Sequence, residues 1–260
     1  MRIQVLISTM HQKDYSLLEK MNIQTDAIVI NQCDKNEICE FQYKGHSIKW
    51  LSLKERGVGV SRNTALMRAD ADIVLFADDD VVYNDGYEKT VIEAFQKNKK
   101  ISLMVFNIIS QNVNRPEYID TKTHRLHFTN CLRYGAFRIA VRLSHIKKAR
   151  IFYSLLFGGG AKYQAGEDNI FITNCLQKKL LCMASCETLG TVKQEESTWF
   201  KGYDEKYYFD RGALFAAMYG KLSNFMLFIF EIKSIFKKRD ISFLKRYSIE
   251  RKGAKNYSAR

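Results

Sequence analysis

The chain has 260 residues, 46% of them apolar and 27% charged, with one proline, which excludes a disordered or fibrous polypeptide and allows a sizeable core. Lys and Arg number 41 against 28 Asp and Glu, a net charge of +13 that favours anionic partners: phosphorylated small molecules, lipid headgroups or nucleic acid. Residues 201–260 alone hold 14 Lys and Arg against 6 Asp and Glu, so the excess sits at the C-terminal end. No membrane span is expected, because no run reaches roughly 18 uninterrupted apolar residues, and no secretory h-region opens the chain. The six cysteines (Cys33, Cys39, Cys131, Cys175, Cys182, Cys186) form no C-x-x-C pair and read as reduced cytoplasmic thiols.

In chain order, 2–8 predicts a first strand ending in Ser8 and Thr9, and Asp14 opens a short helix carrying Leu17, Leu18 and Met21. A buried strand over 26–31 runs into Asn31 and Gln32; a polar stretch follows, then a third strand over 47–53. A loop with Gly57 and Gly59 feeds a helix over 61–68 that contains Arg62. A fourth apolar strand stops at Asp78-Asp79-Asp80; a helix over 87–98 and a strand over 102–109 follow. Strands alternating with helices predict an α/β fold with a mostly parallel, doubly wound sheet. Residues 110–165 give no clear pattern. His124 and His127 lie close in sequence but have no matching third ligand, and read as surface groups.

Three adjacent carboxylates repel one another, and a divalent cation is the commonest compensation, since hard oxygen ligands suit Mg²⁺ or Mn²⁺. Alternation along an extended segment turns Asp78 and Asp80 to one side and Asp79 to the other, making a two-carboxylate claw at the carboxyl end of a strand. The bland reading is an Asp-rich turn. Further on, the glycine loop 157–161 leads to Gly166-Glu167-Asp168 and a helix over 169–178. There the acids also suit the positive end of the helix dipole. A strand over 180–189 and a strongly apolar helix over 211–238, flanked by Lys221, Lys233, Lys237, Lys238 and Arg239, complete the pattern.

Taken in order, Ser8-Thr9, Asn31-Gln32, the Gly57-to-Asn63 segment, Phe76-to-Asp80 and, about 90 residues later, Gly166-Glu167-Asp168 resemble the family 2 glycosyltransferases of GT-A fold. The resemblance covers roughly 1–200. The 157–161 loop and the 196–200 segment are similar to the bacterial subgroup that builds capsular polysaccharide or exopolysaccharide.

The resemblance implies a GT-A domain over 1–200, with a nucleotide-sugar half (1–110) and an acceptor half (111–200), followed by a basic helical C-terminal region over 201–260. It implies a UDP-sugar donor contacted by Ser8, Thr9, Asn31, Gln32, Arg62, Asp78 and Asp79. Mn²⁺ or Mg²⁺ would be held by Asp80 and then Asp78, and Asp168 would be the base of an inverting displacement, with Glu167 on acceptor or sugar hydroxyls. The histidine that completes the metal shell in many relatives is missing from 192–199, where Glu195 is a substitute. The acceptor implied is a saccharide linked to undecaprenyl diphosphate. The enzyme would be cytoplasmic, held peripherally at the inner face of the membrane by an anionic lipid surface, with no nucleic-acid partner. The rival readings are a basic nucleic-acid binder and a catalytically silent sugar-nucleotide binder.

Overall fold

The computed structural model describes residues 1–194, 202–233 and 241–259. Glu195, the 196–200 segment, Lys237, Lys238 and Arg239, all singled out above, lie outside the described residues. The strands are β1 (Ile3–Met10), β2 (Asp26–Gln32), β3 (Glu37–Tyr43), β4 (His46–Leu53), β5 (Ile73–Asp78), β6 (Val81–Tyr83), β7 (Ile101–Ser110), β8 (His124–Arg125), β9 (Ile139–Arg142) and β10 (Leu181–Val192). The helices are α1 (Leu17–Lys20), α2 (Val58–Arg68), α3 (Tyr87–Lys97), α4 (Leu143–Ala149), α5 (Glu167–Gln177), α6 (Glu205–Tyr219), α7 (Ser223–Lys233) and α8 (Phe243–Ser258).

The sheet order is β3-β4-β2-β1-β5-β9-β7-β10-β6, with β8 pairing β10 to the side. The parallel pairs are β1 with β2 and β5, β2 with β4, and β7 with β10. The others run antiparallel, so the sheet is mixed, which corrects the expectation of a mostly parallel one. The largest departure is β9, four residues inserted antiparallel between β5 and β7. So short a strand inside a basic stretch leaves almost no periodic trace.

The polar stretch after Gln32 is also a strand. β3 is an edge strand in which Cys39, Phe41 and Tyr43 pack on the core and the residues between them face water. It joins β4 through Lys44 and Gly45, both at positive φ (50° and 82°), the geometry of a two-residue hairpin turn.

β1 is buried on both faces, as an interior strand between helical layers must be. Leu6, Ile28 and Phe76 face one core with Leu66 of α2 and Phe171 of α5; Ile7, Val29 and Leu75 face the other with Leu18 of α1 and Phe95 of α3.

The expected helix over 211–238 divides into α6, a short 3-10 turn at Gly220–Leu222, and α7. Together Glu205–Ile232 makes 28 residues whose most apolar window has a mean hydropathy of 1.5, enough by length and composition alone to cross a membrane, contrary to the expectation. Its charges argue for a helix packed in protein. Buried Asp210 takes the Lys206 ammonium, and Arg211 pairs with the buried Glu231 of α7 and Glu250 of α8. α6 and α8 cross at glycines: a Cβ on Gly212 would stand 1.9 Å from the Glu250 carbonyl oxygen, and one on Gly253 equally close to that of Phe209.

Candidate active site

Register builds the site. Ser8 lies beside Asp78, Thr9 beside Asn31 and Met10 beside Gln32, so the carboxyl ends of β1, β2 and β5 converge on one rim of the sheet. Such rims are where open α/β sheets bind ligands. A cleft of about 560 Å³ opens there, walled by the start of α2, the 159–160 glycines and the start of α5.

At its base Arg62, 3% exposed, joins three carboxylates from two elements. Its Nη2 donates to Asp78 Oδ1 at 2.9 Å, and its Nη1 to Glu167 Oε1 at 2.8 Å and Asp168 Oδ1 at 2.9 Å. Its guanidinium also lies over the Tyr153 ring, 5.2 Å from the centroid. Arg62 is therefore the hub of the acidic cluster, with Nη1 and Nη2 engaged with carboxylates and Nε buried without a partner among the described residues. Burial lifts the Asp168 carboxyl well above the ordinary range, Glu167 beside it lifts it further, and Arg62 pulls it back.

The aspartate trio does not form the alternating claw. β5 ends at Asp78, and Asp79 and Asp80 enter a turn before β6. Asp78 and Asp79 line the cleft. Asp79 accepts a hydrogen bond from Thr9 Oγ1, while burial raises its carboxyl. Asp80 Oδ2 accepts from the backbone N–H of Gln194 at 3.2 Å, and burial followed by the charge of Asp78 pushes its pKa to about 6.

Among the described residues, no three His, Cys, Asp or Glu cluster as a ready metal cage. A cation still fits. Asp79 is exposed, while half-buried Asp80 has no cationic partner among the described residues and half-buried Asp78 engages Arg62 through Oδ1 alone, so carboxylate oxygens of both remain for a cation. Asp80 has oxygen capacity beyond its single backbone donor.

Of the nucleotide-side residues, Ser8, Thr9 and Gln32 line the cleft. Ser8 Oγ accepts from Ser61 Oγ at 2.9 Å, and Gln32 Oε1 is buried with no partner, an acceptor that a ligand donor would satisfy. Asn31 does not reach the cleft. It is 1% exposed, and its amide holds the Gln12 backbone and donates to Ser52 Oγ at 3.2 Å, so it braces the loop after β1.

Three features of the site escape a reading of the sequence. Arg56 lines the cleft and bonds the Cys33 carbonyl and Asp34. Tyr153, from the stretch without a pattern, stacks on Phe171 at 4.4 Å and supports Arg62. The two glycine loops touch, Val58 N–H donating to the Gly159 carbonyl at 3.0 Å. Gly158 is required there: its φ is +101°, and a Cβ would stand 2.8 Å from the Glu167 carboxyl carbon. The only advance signal was the pair of glycine runs. α6 and α8 hold the same loop, since Asp210 accepts from Gln164 N–H at 2.9 Å and Asn256 from the Tyr163 hydroxyl at 3.1 Å.

Comparison with known proteins agrees with this geometry. Residues 15–150 match the profile of "Glycosyl transferase family 2". Among solved structures, TarS of S. aureus superposes with a TM-score of 0.62 at 14% identity, over 92% of this chain and 44% of TarS, so the chain spans less than half that protein's length. TarS 1–349 in complex with UDP gives 0.58 at 14% identity, over 100% of this chain and 72% of that fragment. The complex with UDP-GlcNAc gives 0.58 at 14% identity, over 96% and 70%. No curated protein matches the sequence. At such identities the likeness establishes a shared fold, the GT-A-like arrangement of a mixed sheet between helices. The sequence match extends over half of the chain, and the chain belongs to glycosyl transferase family 2.

Proposed function

We propose that the protein moves one sugar from a UDP-sugar to a saccharide acceptor with inversion at the anomeric carbon. The observation that carries this is the cluster of Asp78, Glu167 and Asp168 on one buried Arg62 at the floor of a cleft wide enough for a nucleotide sugar. The resemblance to folds solved with UDP and UDP-GlcNAc supports the choice of donor.

In this reading Asp168 takes the proton of an acceptor hydroxyl as that oxygen bonds the anomeric carbon, and the bond from that carbon to the UDP oxygen breaks on the opposite face. The raised carboxyl of Asp168 is a better proton acceptor than an exposed aspartate once it is ionised, and Arg62 opposes its premature protonation. Glu167 is fixed by Arg62 with its other oxygen available to sugar hydroxyls. Ser8, Thr9, Gln32 and Asp79 would contact the nucleotide. Mn²⁺ or Mg²⁺, held by Asp80 and Asp78, would supply Lewis-acid stabilisation of the leaving diphosphate.

We read the acceptor as lipid-linked and the protein as a peripheral enzyme of the inner membrane face in capsular or exopolysaccharide assembly. Support comes from the end of the chain. Leu222, Phe225, Phe228 and Ile232 around α7 are 63%, 61%, 43% and 45% exposed, and Leu244 of α8 is 76% exposed. Beside them a groove of about 550 Å³ is lined by Arg251, Lys252 and Lys255, with no acid among its described lining residues. Apolar side chains bordered by cations suit an anionic bilayer surface.

Asp168→Asn tests the core of the proposal. Sugar transfer should vanish while UDP binding by calorimetry stays within about twofold; transfer at the wild-type rate would refute the assignment.

A further inference from the structure

At the far end of the sheet lies a second cleft of about 910 Å³, larger than the one at the carboxylates. It is formed where β7 and β10 begin, paired at Ile101 and Leu181, and where α4 and α5 end. Lys100, Lys148, Arg150, Lys178 and Lys179 line it, with His145 and no acid among the described residues. None of these five cations makes an ion pair or a side-chain hydrogen bond among the described residues. β10 runs twelve residues from this cleft to the neighbourhood of Asp80, roughly 35 Å of strand, so one small ligand cannot fill both.

The ordinary reason for cations here is the negative end of a helix. α4 and α5 both end at the cleft, and two such ends amount to about one negative charge, against five positive ones. The left-handed residues that follow the two helices are Arg150 (φ 54°) and Lys179 (φ 58°), where glycine would be the relaxed choice. Burial, then Arg142 and Lys148, hold the His145 imidazole below its ordinary pKa, and its Nδ1 bonds Ser102 Oγ at 2.8 Å. The positive field is therefore left without an internal counterion. Among the described residues no aromatic side chain lines the cleft, so none offers a base a stacking platform.

We propose that this basic cleft binds a ligand bearing two or more phosphate groups, at a site separate from the donor cleft. The phosphates could belong to a free phosphorylated molecule or to clustered phospholipid headgroups. Both present several anionic oxygens to point-charge ammonium groups.

The test compares the full chain with a Lys148→Gln, Lys178→Gln, Lys179→Gln variant, whose three side chains are exposed and leave the core untouched. One arm titrates inorganic tripolyphosphate by calorimetry at low salt; the other measures partition onto phosphatidylcholine vesicles with and without phosphatidylglycerol. UDP binding with Mn²⁺ is the control and should not change. A loss of roughly a hundredfold in tripolyphosphate affinity assigns the site to free phosphates. A loss of that size only in phosphatidylglycerol-dependent partition assigns it to lipid headgroups. Equal behaviour of the two proteins in both arms, or no binding by the wild type in either, overturns the proposal.

Discussion

Replacing Arg62 with methionine tests the electrostatic reasoning behind the site most directly. The substitution preserves bulk and removes the one cation that three carboxylates share at 2.8 to 2.9 Å. Removing one partner of a buried pair costs about 3–5 kcal/mol. Asp78 is 34% exposed and Asp168 20%, so water screens part of the repulsion, and the lower end of that range, about 3 kcal/mol, is the expected loss near neutral pH. For a chain of this size that corresponds to a fall in Tm of about 6–12 °C.

The sign of the pH dependence adds a second check. Arg62 lowers the raised Asp168 carboxyl, so without it Asp168 in the folded state binds its proton still more tightly than in the unfolded chain. Stability is then gained as pH falls through the raised folded pKa of Asp168, and lost as pH rises through it. Thermal melts at pH 8 and pH 5 should therefore show the largest deficit relative to wild type at pH 8 and a smaller one at pH 5. A deficit under about 1 kcal/mol, or one that does not change with pH, would show that Arg62 does not serve as the counterion of this cluster. Arg62→Lys should recover only part of the loss, because one ammonium cannot reproduce the planar fork that spans three carboxylates.

Asp80→Asn should abolish the rise in Tm that Mn²⁺ with UDP gives the wild type, and in wild type that rise should shrink below about pH 6, where the Asp80 carboxylate takes up a proton; an Mn²⁺ increment untouched by the substitution removes Asp80 from the metal site. With Asp168 as base, initial rates of transfer should fall on acidification from well above pH 4, the ordinary aspartate value, because the raised carboxyl protonates early; a rate that is flat down to pH 4.5 would identify another base. Gly212→Ala should cost about 1–3 kcal/mol in urea unfolding, since the methyl must displace the Glu250 backbone and separate α6 from α8; a neutral result would mean that the helix crossing is not tight.

The apolar runs of β1, β2 and β5 and the break at Asp78 were legible because continuous buried strands and an abrupt acidic stop are local features. Glu167 and Asp168 at the start of a helix were legible for the same reason. The family resemblance supplied their expected roles. The alternation rule failed at Asp79 and Asp80, because the strand ends at Asp78 and a turn sets their directions. β3 did carry a period-two signal in Cys39, Phe41 and Tyr43, masked by the polar face of an edge strand.

By itself the sequence determined the alternating α/β pattern, the basic balance and the acidic motifs, each encoded within a dozen or so neighbouring residues. Only the tertiary structure decided the antiparallel insertion of β9 and the retreat of Asn31 into a brace. It also decided the place of Arg62, which meets acids 16 and more than 100 residues away. Those outcomes depend on which buried charges find a partner across the fold, and that is settled by packing after the local elements have formed.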